Sequence, residues 1–360
     1  MTRLKSTLVA IALFLGFFVR ADEGMWFLMN IERLNHRDMQ AMGLQLTSEE
    51  IYSINNSSLK DAIVQFNGGC TAELISKDGL VLTNHHCGFD AIAELSTPEK
   101  DYLTNGYWAA TRADELKPSS LFVRFFVRMD DVTKRILGKL NDSMSESERE
   151  ILIKEEISII ENENNGGGKY TVSVRPFFQG NEYYYFVYED FKDVRLVGTP
   201  PNSVGKFGGD TDNWEWPRHT GDFSVFRVYM SKDGKPSKYD ASNVPFKPKY
   251  YLPVSLKGFK DGDYSMIYGY PGGTNRYETS YGVKLATDIT SPTLVKLRDM
   301  RLKYMLEEMK KDPAVRLQLA SNYAGIANYW KFFDGETKQL LKFDIFGQKQ
   351  KAEIAFTEWA

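Results

Sequence analysis

The sequence predicts a mainly β protein that continues into an α-helical domain. Between residues 62 and 268, short apolar runs alternate with turns rich in Gly, Pro, Asn and Asp, a pattern typical of barrels and sandwiches. After Thr290-Ser291-Pro292 the apolar residues change to helical spacing. We therefore predict a β domain over 22–283 and the start of a helical domain over 284–360.

Composition and charge exclude some classes of partner. The 360 residues carry a formal net charge of -3 with a pI of about 6.0, which gives no electrostatic reason to bind nucleic acid. The 20 Tyr and 23 Phe suit sheet cores and a groove for apolar or peptide ligands. We expect peptide substrates and no nucleic-acid partner.

The N-terminus has the pattern of a cleaved signal peptide over residues 1–21. Basic Arg3 and Lys5 precede an apolar run over 8–19, and small Ala21 suits the cleavage site. The run is too short for an ordinary membrane span. We expect a mature protein that starts near Asp22, is periplasmic or secreted in a Gram-negative envelope, and has no membrane association after cleavage.

The first half of the chain predicts short helices, then strands and one longer helix. Amphipathic pieces over 25–60 include a capping box at Thr47 and Glu50. Strands are expected at 62–64 and 121–127, and an exposed helix over 145–161 begins in a second capping box at Ser145.

The second half predicts further strands and then helices to the end of the chain. We interpret the glycine-rich turn 164–168 as a hairpin connection. The strands expected after it are 170–176, 182–188, 194–197, 223–229 and 264–268. Helices follow from Leu294 and from Pro313, and the sequence stops in mid-helix pattern, so we expect a truncated helical domain.

Two cysteines bracket a hairpin pattern, CTAELISKDGLVLTNHHC, over residues 70–87. Asp78-Gly79 predicts a turn before a buried strand, and the tandem histidines His85 and His86 are expected to end that strand at a surface. In an exported chain the pair Cys70 and Cys87 favours one structural disulfide, although the sequence alone also allows two free thiols.

The tandem histidines suggest a general base. Packing and hydrogen bonding at a strand end is the commoner role of such a pair. A metal pair is disfavoured, because neighbouring strand side chains point to opposite faces and no HExxH or CxxC pattern accompanies them. We expect no metal or cofactor, and we choose His86 as the base.

A second constellation lies over residues 205–223, in GKFGGDTDNWEWPRHTGDF. This loop has four glycines, two tryptophans, three aspartates and a histidine, and loops so dense in reactive side chains are usually functional. The alternative is an aromatic-capped turn at a barrel end. Asp222 directly precedes a predicted strand, where its carboxylate can accept the Nδ1 proton of an imidazole.

Six motifs together resemble the chymotrypsin-related serine dipeptidyl-peptidases of bacteria, of the dipeptidyl-peptidase 7 and 11 type. They are NGGC at 67–70, TNHHCG at 83–88, DYLTNGYWA at 101–109, GGDTDNWEWPRHTGDF at 208–223, GYPGGTNRY at 269–277 and ANYWK at 327–331. The resemblance implies a chymotrypsin-like double β-barrel with an inserted helical cap domain, of which this chain holds the first part.

The resemblance also implies roles for five residues. His86 is the base and Asp222 orients it, whereas Asn213, Trp214 and Asn328 form the pocket for the free amino group of the substrate. The family is compatible with a homodimer of the full-length protein.

One departure from the family pattern is large. Family members are longer and carry their nucleophile near the C-terminus in a Gly-Asn-Ser-Gly setting that this sequence lacks. Ser203 and Ser224 read as ordinary loop and strand residues. We therefore expect the nucleophile, oxyanion hole and S1 pocket in a missing second half, an inactive isolated fragment, and no readable preference for the P1 residue.

Three functions follow from these patterns. The leading hypothesis is an exported serine exopeptidase that removes dipeptides from free N-termini by acyl-enzyme chemistry. The alternative is a non-catalytic envelope protein that binds a peptide or sugar with DNWEWPRH, in which His86 is structural. A trypsin-like endopeptidase is disfavoured by the helical segment after residue 283 and by the NYWK motif.

Overall fold

The structure is a computed structural model that describes residues 25–360. The predicted signal peptide over 1–21 lies outside the described residues. Within 25–360, no helix is both long and apolar enough to span a bilayer.

Ten strands form one large antiparallel sheet with the order β4-β8-β9-β3-β2-β1-β5-β7-β6, and β10 pairs with β9. The strands are β1 Ile63–Phe66, β2 Cys70–Leu74, β3 Leu80–Thr83, β4 Tyr107–Trp108, β5 Val123–Asp131, β6 Thr171–Phe177, β7 Glu182–Phe191, β8 Asp193–Thr199, β9 Ser224–Met230 and β10 Val244–Pro245.

Helices flank the sheet and make up the C-terminal part. They are α1 Ile31–Leu34, α2 His36–Ala41, α3 Ser48–Ile51, α4 His85–Leu95, α5 Tyr102–Asn105, α6 Thr133–Leu137, α7 Glu146–Asn164, α8 Asn202–Gly205, α9 Ser280–Leu285, α10 Ser291–Lys311, α11 Pro313–Lys342 and α12 Ile345–Trp359. Short 3-10 turns lie at Leu28–Asn30, Leu59–Asp61, Arg112–Asp114 and Phe178–Gly180, and a π turn at Ala286–Thr290 joins α9 to α10.

The main core lies where the central strands meet α4 and α11. Phe66 of β1 and Phe226 of β9 are fully buried, with ring centroids 4.9 Å apart. Ile92 of α4 joins the same cluster, and so do Leu317 and Ala320 of α11. Burial of such side chains contributes about 1.5–3 kcal/mol each. This packing fixes α11 on the sheet that carries the candidate site.

Most of the predicted elements are present, including both capping boxes and the strands near 63, 123, 171, 182, 194 and 224. The chain nevertheless contains more helix than a mainly β prediction implies. Helix α7 is not fully exposed, because Ile160 is buried against Val132 and Ile136. The boundary at about residue 283 stays a prediction, although helical structure begins at Ser280, before the predicted Thr290.

Two predictions from the sequence are wrong, one about a connection and one about a strand. The turn 164–168 joins helix α7 to strand β6, so it is not a hairpin connection. Residues 264–268 form no strand. Their side chains still alternate, since Met266 and Tyr268 pack against the cluster around Ile51 whereas Ile267 is fully exposed. A strand also requires a neighbouring backbone to pair with, and side-chain alternation alone does not supply one.

Candidate active site

The tandem histidines lie in the first turn of a helix rather than at a strand end, which corrects the prediction from the sequence. Strand β3 ends at Thr83, and α4 begins at His85. Successive residues in a helix are rotated by about 100°, so the two side chains separate. His85 is 1% exposed, whereas the side chain of His86 is 69% exposed.

The His86 imidazole is bonded to Asp222 in the expected geometry. Nδ1 of His86 lies 2.7 Å from Oδ2 of Asp222, and the His86 backbone N–H donates to Oδ1 at 3.0 Å. Since a carboxylate only accepts, Nδ1 carries the proton and Nε2 is left with a free lone pair. The arrangement leaves one ring nitrogen able to take a proton from another group.

Sheet register explains how residues 136 positions apart meet. Strands β3 and β9 are antiparallel neighbours with Thr83 opposite Ser224. The residues that follow β3, which include His86, therefore lie beside the residues that precede β9, which include Asp222. Two further bonds tie the junction, because the Ser224 hydroxyl donates to the Asn84 carbonyl at 2.9 Å and the Asn84 amide donates to the Asp222 carbonyl at 3.1 Å.

The charges of the site are set by burial and by the imidazoles. Burial raises the pKa of Asp222, but its interactions with His86, first among them the side-chain hydrogen bond, outweigh this effect, so the net shift is downward and the carboxylate stays ionised. Burial lowers the pKa of His85, with Asp222 opposing and His86 adding to the shift. The site therefore has one anion and a neutral second imidazole.

A disulfide links the base turn to the sheet. Cys70 begins β2 and Cys87 lies in the first turn of α4, and their sulfurs are bonded with Cα atoms 6.0 Å apart, which confirms the predicted pairing. These sulfurs and a ring nitrogen of His86 lie within 4.8 Å of one another. Because both sulfurs are spent in the disulfide, they are not available as thiolate ligands.

The structure brings Asn213, Trp214 and Asn328 together. The Asn213 amide donates to Oδ1 of Asn328 at 2.8 Å, and the Trp214 indole N–H donates to the same oxygen at 3.1 Å. Oδ1 of Asn213 in turn accepts from Arg218 at 2.9 Å. Both carboxamide oxygens are thus already bonded to protein donors, which differs from the expected pair of free acceptors. Their role in substrate binding stays a prediction.

Helix α11 is held against the 208–223 loop by Trp214 and by residues that received no individual role in the sequence analysis. The Trp214 ring packs on Phe332 with centroids 5.0 Å apart. Lys331 is hydrogen-bonded to the Thr211 carbonyl and lies 3.2 Å from the Glu215 carboxylate. Arg218 was missed as well, although it stands in the charged motif DNWEWPRH. These contacts link the helical segment to the loop that precedes Asp222.

Neither candidate serine is placed as a partner of His86. Ser224 is fully buried, and its hydroxyl donates to the Asn84 carbonyl. Ser203 is an exposed residue of the short helix α8. Ser224 is a strand residue as predicted, whereas Ser203 was expected in a loop and lies in a short helix.

The half-buried Asp222 bonds Nδ1 of the exposed His86, an arrangement that also occurs in the base half of serine-peptidase catalytic sites. The family comparison agrees: the model of the peptidase S46 family matches residues 21–360, so the chain belongs to that family.

The chain is similar to curated proteins that are named dipeptidyl-peptidases. It is 61% identical to a dipeptidyl-peptidase 7 of Capnocytophaga gingivalis, covering 99% of this chain and 50% of the relative. It is 48% identical to an Asp/Glu-specific dipeptidyl-peptidase of Flavobacterium psychrophilum, covering 93% and 47%. The chain spans about half the length of the curated relatives it matches.

A solved structure matches the fold. The crystal structure of Porphyromonas endodontalis DPP11 in complex with the dipeptide Arg-Asp superposes with a TM-score of 0.88 at 38% identity, covering 94% of this chain and 50% of that chain. The resemblance to the dipeptidyl-peptidase 7 and 11 type is thereby confirmed.

Proposed function

We propose that this chain supplies the general base and the amino-group anchor of an exported serine exopeptidase that removes dipeptides from the free N-termini of peptides. The observation that carries the proposal is the bond between His86 and Asp222, which leaves Nε2 free, in a chain whose relatives are named dipeptidyl-peptidases. A periplasmic or secreted location, a chymotrypsin-like double barrel and a homodimer of the full-length protein belong to the same proposal.

In this mechanism Nε2 of His86 takes the proton of a serine hydroxyl as that oxygen attacks the peptide carbonyl. Asp222 keeps the ring in the required tautomer and stabilises the imidazolium that forms. The base then returns the proton to the leaving amine, and water releases the dipeptide from the acyl-enzyme. The nucleophile and oxyanion hole are assigned to sequence outside these 360 residues, because no Gly-Asn-Ser-Gly motif occurs in them.

The anchor accounts for cleavage after two residues. A substrate ammonium group has three N–H donors, and its burial is costly unless acceptors meet it. Oδ1 of Asn328 is the shared acceptor of the cluster, since it receives bonds from both Asn213 and Trp214. Substrate binding therefore requires the Asn213 amide to turn away, so that its own oxygen and that of Asn328 face the ammonium group.

The test uses protein expressed from the complete reading frame. We expect release of a fluorophore from free-amino dipeptidyl substrates, no cleavage of the N-acetylated forms, and covalent labelling by a fluorophosphonate. His86→Ala should abolish turnover. His36→Ala is the matched control and should retain it, because the His36 ring bonds the Leu46 carbonyl in the N-terminal segment.

Two results would refute the proposal. One is internal cleavage of long peptides at rates equal to dipeptide release. The other is fluorophosphonate labelling of the isolated 22–360 polypeptide, which on this proposal has a base without a nucleophile and is inactive.

A binding function without catalysis remains the second candidate, and one observation favours it. Trp216 is 94% exposed and Trp214 is 58% exposed in the same loop, and exposed aromatic rings are common contacts for peptides and sugars. Peptide or sugar binding by the complete protein, without hydrolysis or labelling, would support this function against the peptidase.

A further inference from the structure

A second histidine lies directly behind the base and has no assigned role. His85 is 1% exposed, and its ring packs edge-on against Phe89 with centroids 5.8 Å apart. Its Nε2 is buried and has no hydrogen-bond partner within residues 25–360. Since no hydrogen bond of Nε2 holds the ring, its position is fixed by the side chains and backbone that touch it.

Gly205 is one of those contacts, and it allows no side chain. A Cβ at position 205 would lie 2.5 Å from Cδ2 and 2.6 Å from Cγ of His85. Both distances are far shorter than carbon atoms in contact, which stay about 3.5–4.0 Å apart. Gly205 is the last residue of the short helix α8 and its φ is not positive, so the restriction comes from the imidazole and not from the backbone.

The end of α8 in turn holds the residues just before Asp222. The Thr220 hydroxyl donates to the carbonyls of Val204 and Gly205 at 3.1 and 3.2 Å. The Gly221 N–H donates to the same Val204 carbonyl at 3.0 Å. Asp222 is the next residue, so the position of α8 is transmitted to the carboxylate within one residue.

We propose that His85 is a positioning residue, whose buried ring seats the Gly205 end of α8 and thereby sets the distance between Asp222 and the neighbouring His86. The path closes on itself: His85 contacts Gly205, Thr220 bonds the Gly205 carbonyl, the chain runs from Thr220 to Asp222, and Asp222 bonds His86, the residue after His85. This inference deepens the proposed function and rests on it where activity is the readout.

The test is a steric exchange in protein expressed from the complete reading frame. Gly205→Ala should push α8 away from His85 and lower kcat for dipeptide release about 10- to 100-fold, because misplacement by an ångström costs that much. KM should be unchanged, since Asn213 and Asn328 are untouched. Adding His85→Ala makes room for the new methyl and should restore kcat above that of the Gly205→Ala single variant. His85→Asn serves the same purpose if the alanine variant does not fold.

A matched control comes from Gly69, where a Cβ would meet nothing within 4 Å and φ is not positive. Gly69→Ala should keep wild-type kcat. Unchanged kcat in Gly205→Ala, a loss confined to KM, or additive losses in the double variant would each overturn the inference.

A readout without activity separates this inference from the proposed function. With 13C- and 15N-labelled histidine, the Nδ1–H signal of His86 in its bond to Asp222 should be present in the wild type, lost in Gly205→Ala and recovered in the double variant. If the wild type releases no dipeptides, the proposed function fails, and this signal still decides the positioning role. A signal that persists in Gly205→Ala overturns it.

Discussion

The His86–Asp222 pair and the anchor cluster of Asn213, Trp214 and Asn328 each join a loop residue to a distant partner. They differ in which polar atoms remain free to bind another group. His86 and Asp222 meet because β3 and β9 are paired in register, and their bonds leave Nε2 open. Asn213 and Asn328 meet across the contact between the 208–223 loop and α11, and their oxygens are occupied by protein donors.

The two sets of residues therefore differ in whether their geometry must change when a substrate binds. The His86–Asp222 pair already has its hydrogen-bonded geometry without a substrate. Groups that transfer protons or stabilise charge are most effective when they are preorganised in this way. The carboxamide oxygens of Asn213 and Asn328 are bonded to protein donors, so on the proposed function they must exchange these partners when an ammonium group binds. Substitutions in the His86–Asp222 pair should therefore lower kcat, whereas substitutions in the anchor cluster should lower kcat/KM for substrates with a free amino group.

The largest effect is expected for Asp222→Asn. An amide in place of the carboxylate can donate to Nδ1, which puts the proton on Nε2 and removes the base. We expect kcat for dipeptide release by the complete protein to fall about 10⁴-fold. Asp233→Asn is the control, because Asp233 is paired with Lys235 and Ser231 in its own exposed turn. Near-wild-type turnover of Asp222→Asn would remove the distinction between the two clusters.

The disulfide should matter for the base side alone. Replacing Cys70 and Cys87 together by Ser should lower the free energy of unfolding by about 3 kcal/mol, since the bond closes a loop of separation 17. Urea denaturation measures the change, and kcat should fall while KM is retained. Reductant should weaken the wild type and leave the double variant unaffected. Two alkylatable thiols in the native protein would contradict the pairing.

At the anchor, Asn328→Ala should act on specificity rather than on folding, because alanine is a better helix former than asparagine at this position of α11. Loss of a hydrogen bond to a charged group costs about 1.5–3 kcal/mol, or one to two decades in kcat/KM for free-amino substrates. Asn213→Ala should have the same sign, and Asn181→Ala in an exposed turn is the control. Wild-type rates in both anchor variants would show that the cluster binds no amino group.

The sequence predicted the elements that local chemistry specifies. Alternating apolar residues located most strands, and the Ser-x-x-Glu pattern located the start of α7. His86 and Asp222 were selected from local patterns and also match the family motifs, whereas Asn213, Trp214 and Asn328 came from motif resemblance alone. The structure brings each set into contact. Their burial and bonding partners depend on packing between distant segments, which no local pattern records.

The helix start at His85 was missed for a specific reason. Asn84 is a residue type that commonly caps helices, but its side chain caps nothing here and instead donates to Asp222. Asn84 nevertheless stands at the N-cap position, so the sequence carried a local signal for this helix start that was overlooked. The strand expected at 264–268 is absent for a different reason. The side chains of this segment do alternate between buried and exposed, but a strand also requires hydrogen bonding to another backbone segment.

The smallest effect concerns the pH dependence of stability, and it tests the neutral imidazole behind the base. Burial holds the pKa of His85 below its ordinary value of 6.5 in the folded protein. Above that pH the ring is neutral in both states and contributes no pH dependence. As the pH falls through 6.5, the unfolded chain binds a proton that the folded chain refuses. The free energy of unfolding then decreases by up to about 1.4 kcal/mol per pH unit until the folded pKa is reached.

His85→Phe keeps a ring of similar size and removes the titration, so its free energy of unfolding should fall less steeply than that of the wild type below pH 6.5. Urea denaturation at a series of pH values measures both slopes, and Gly69→Ala, which removes no titratable group, should retain the wild-type slope. Equal slopes for His85→Phe and the wild type would mean that His85 binds a proton over the same pH range in the folded and the unfolded chain. A cation would then lie beside His86 and oppose its protonation during catalysis. The His86–Asp222 pair would in that case not be preorganised for proton transfer.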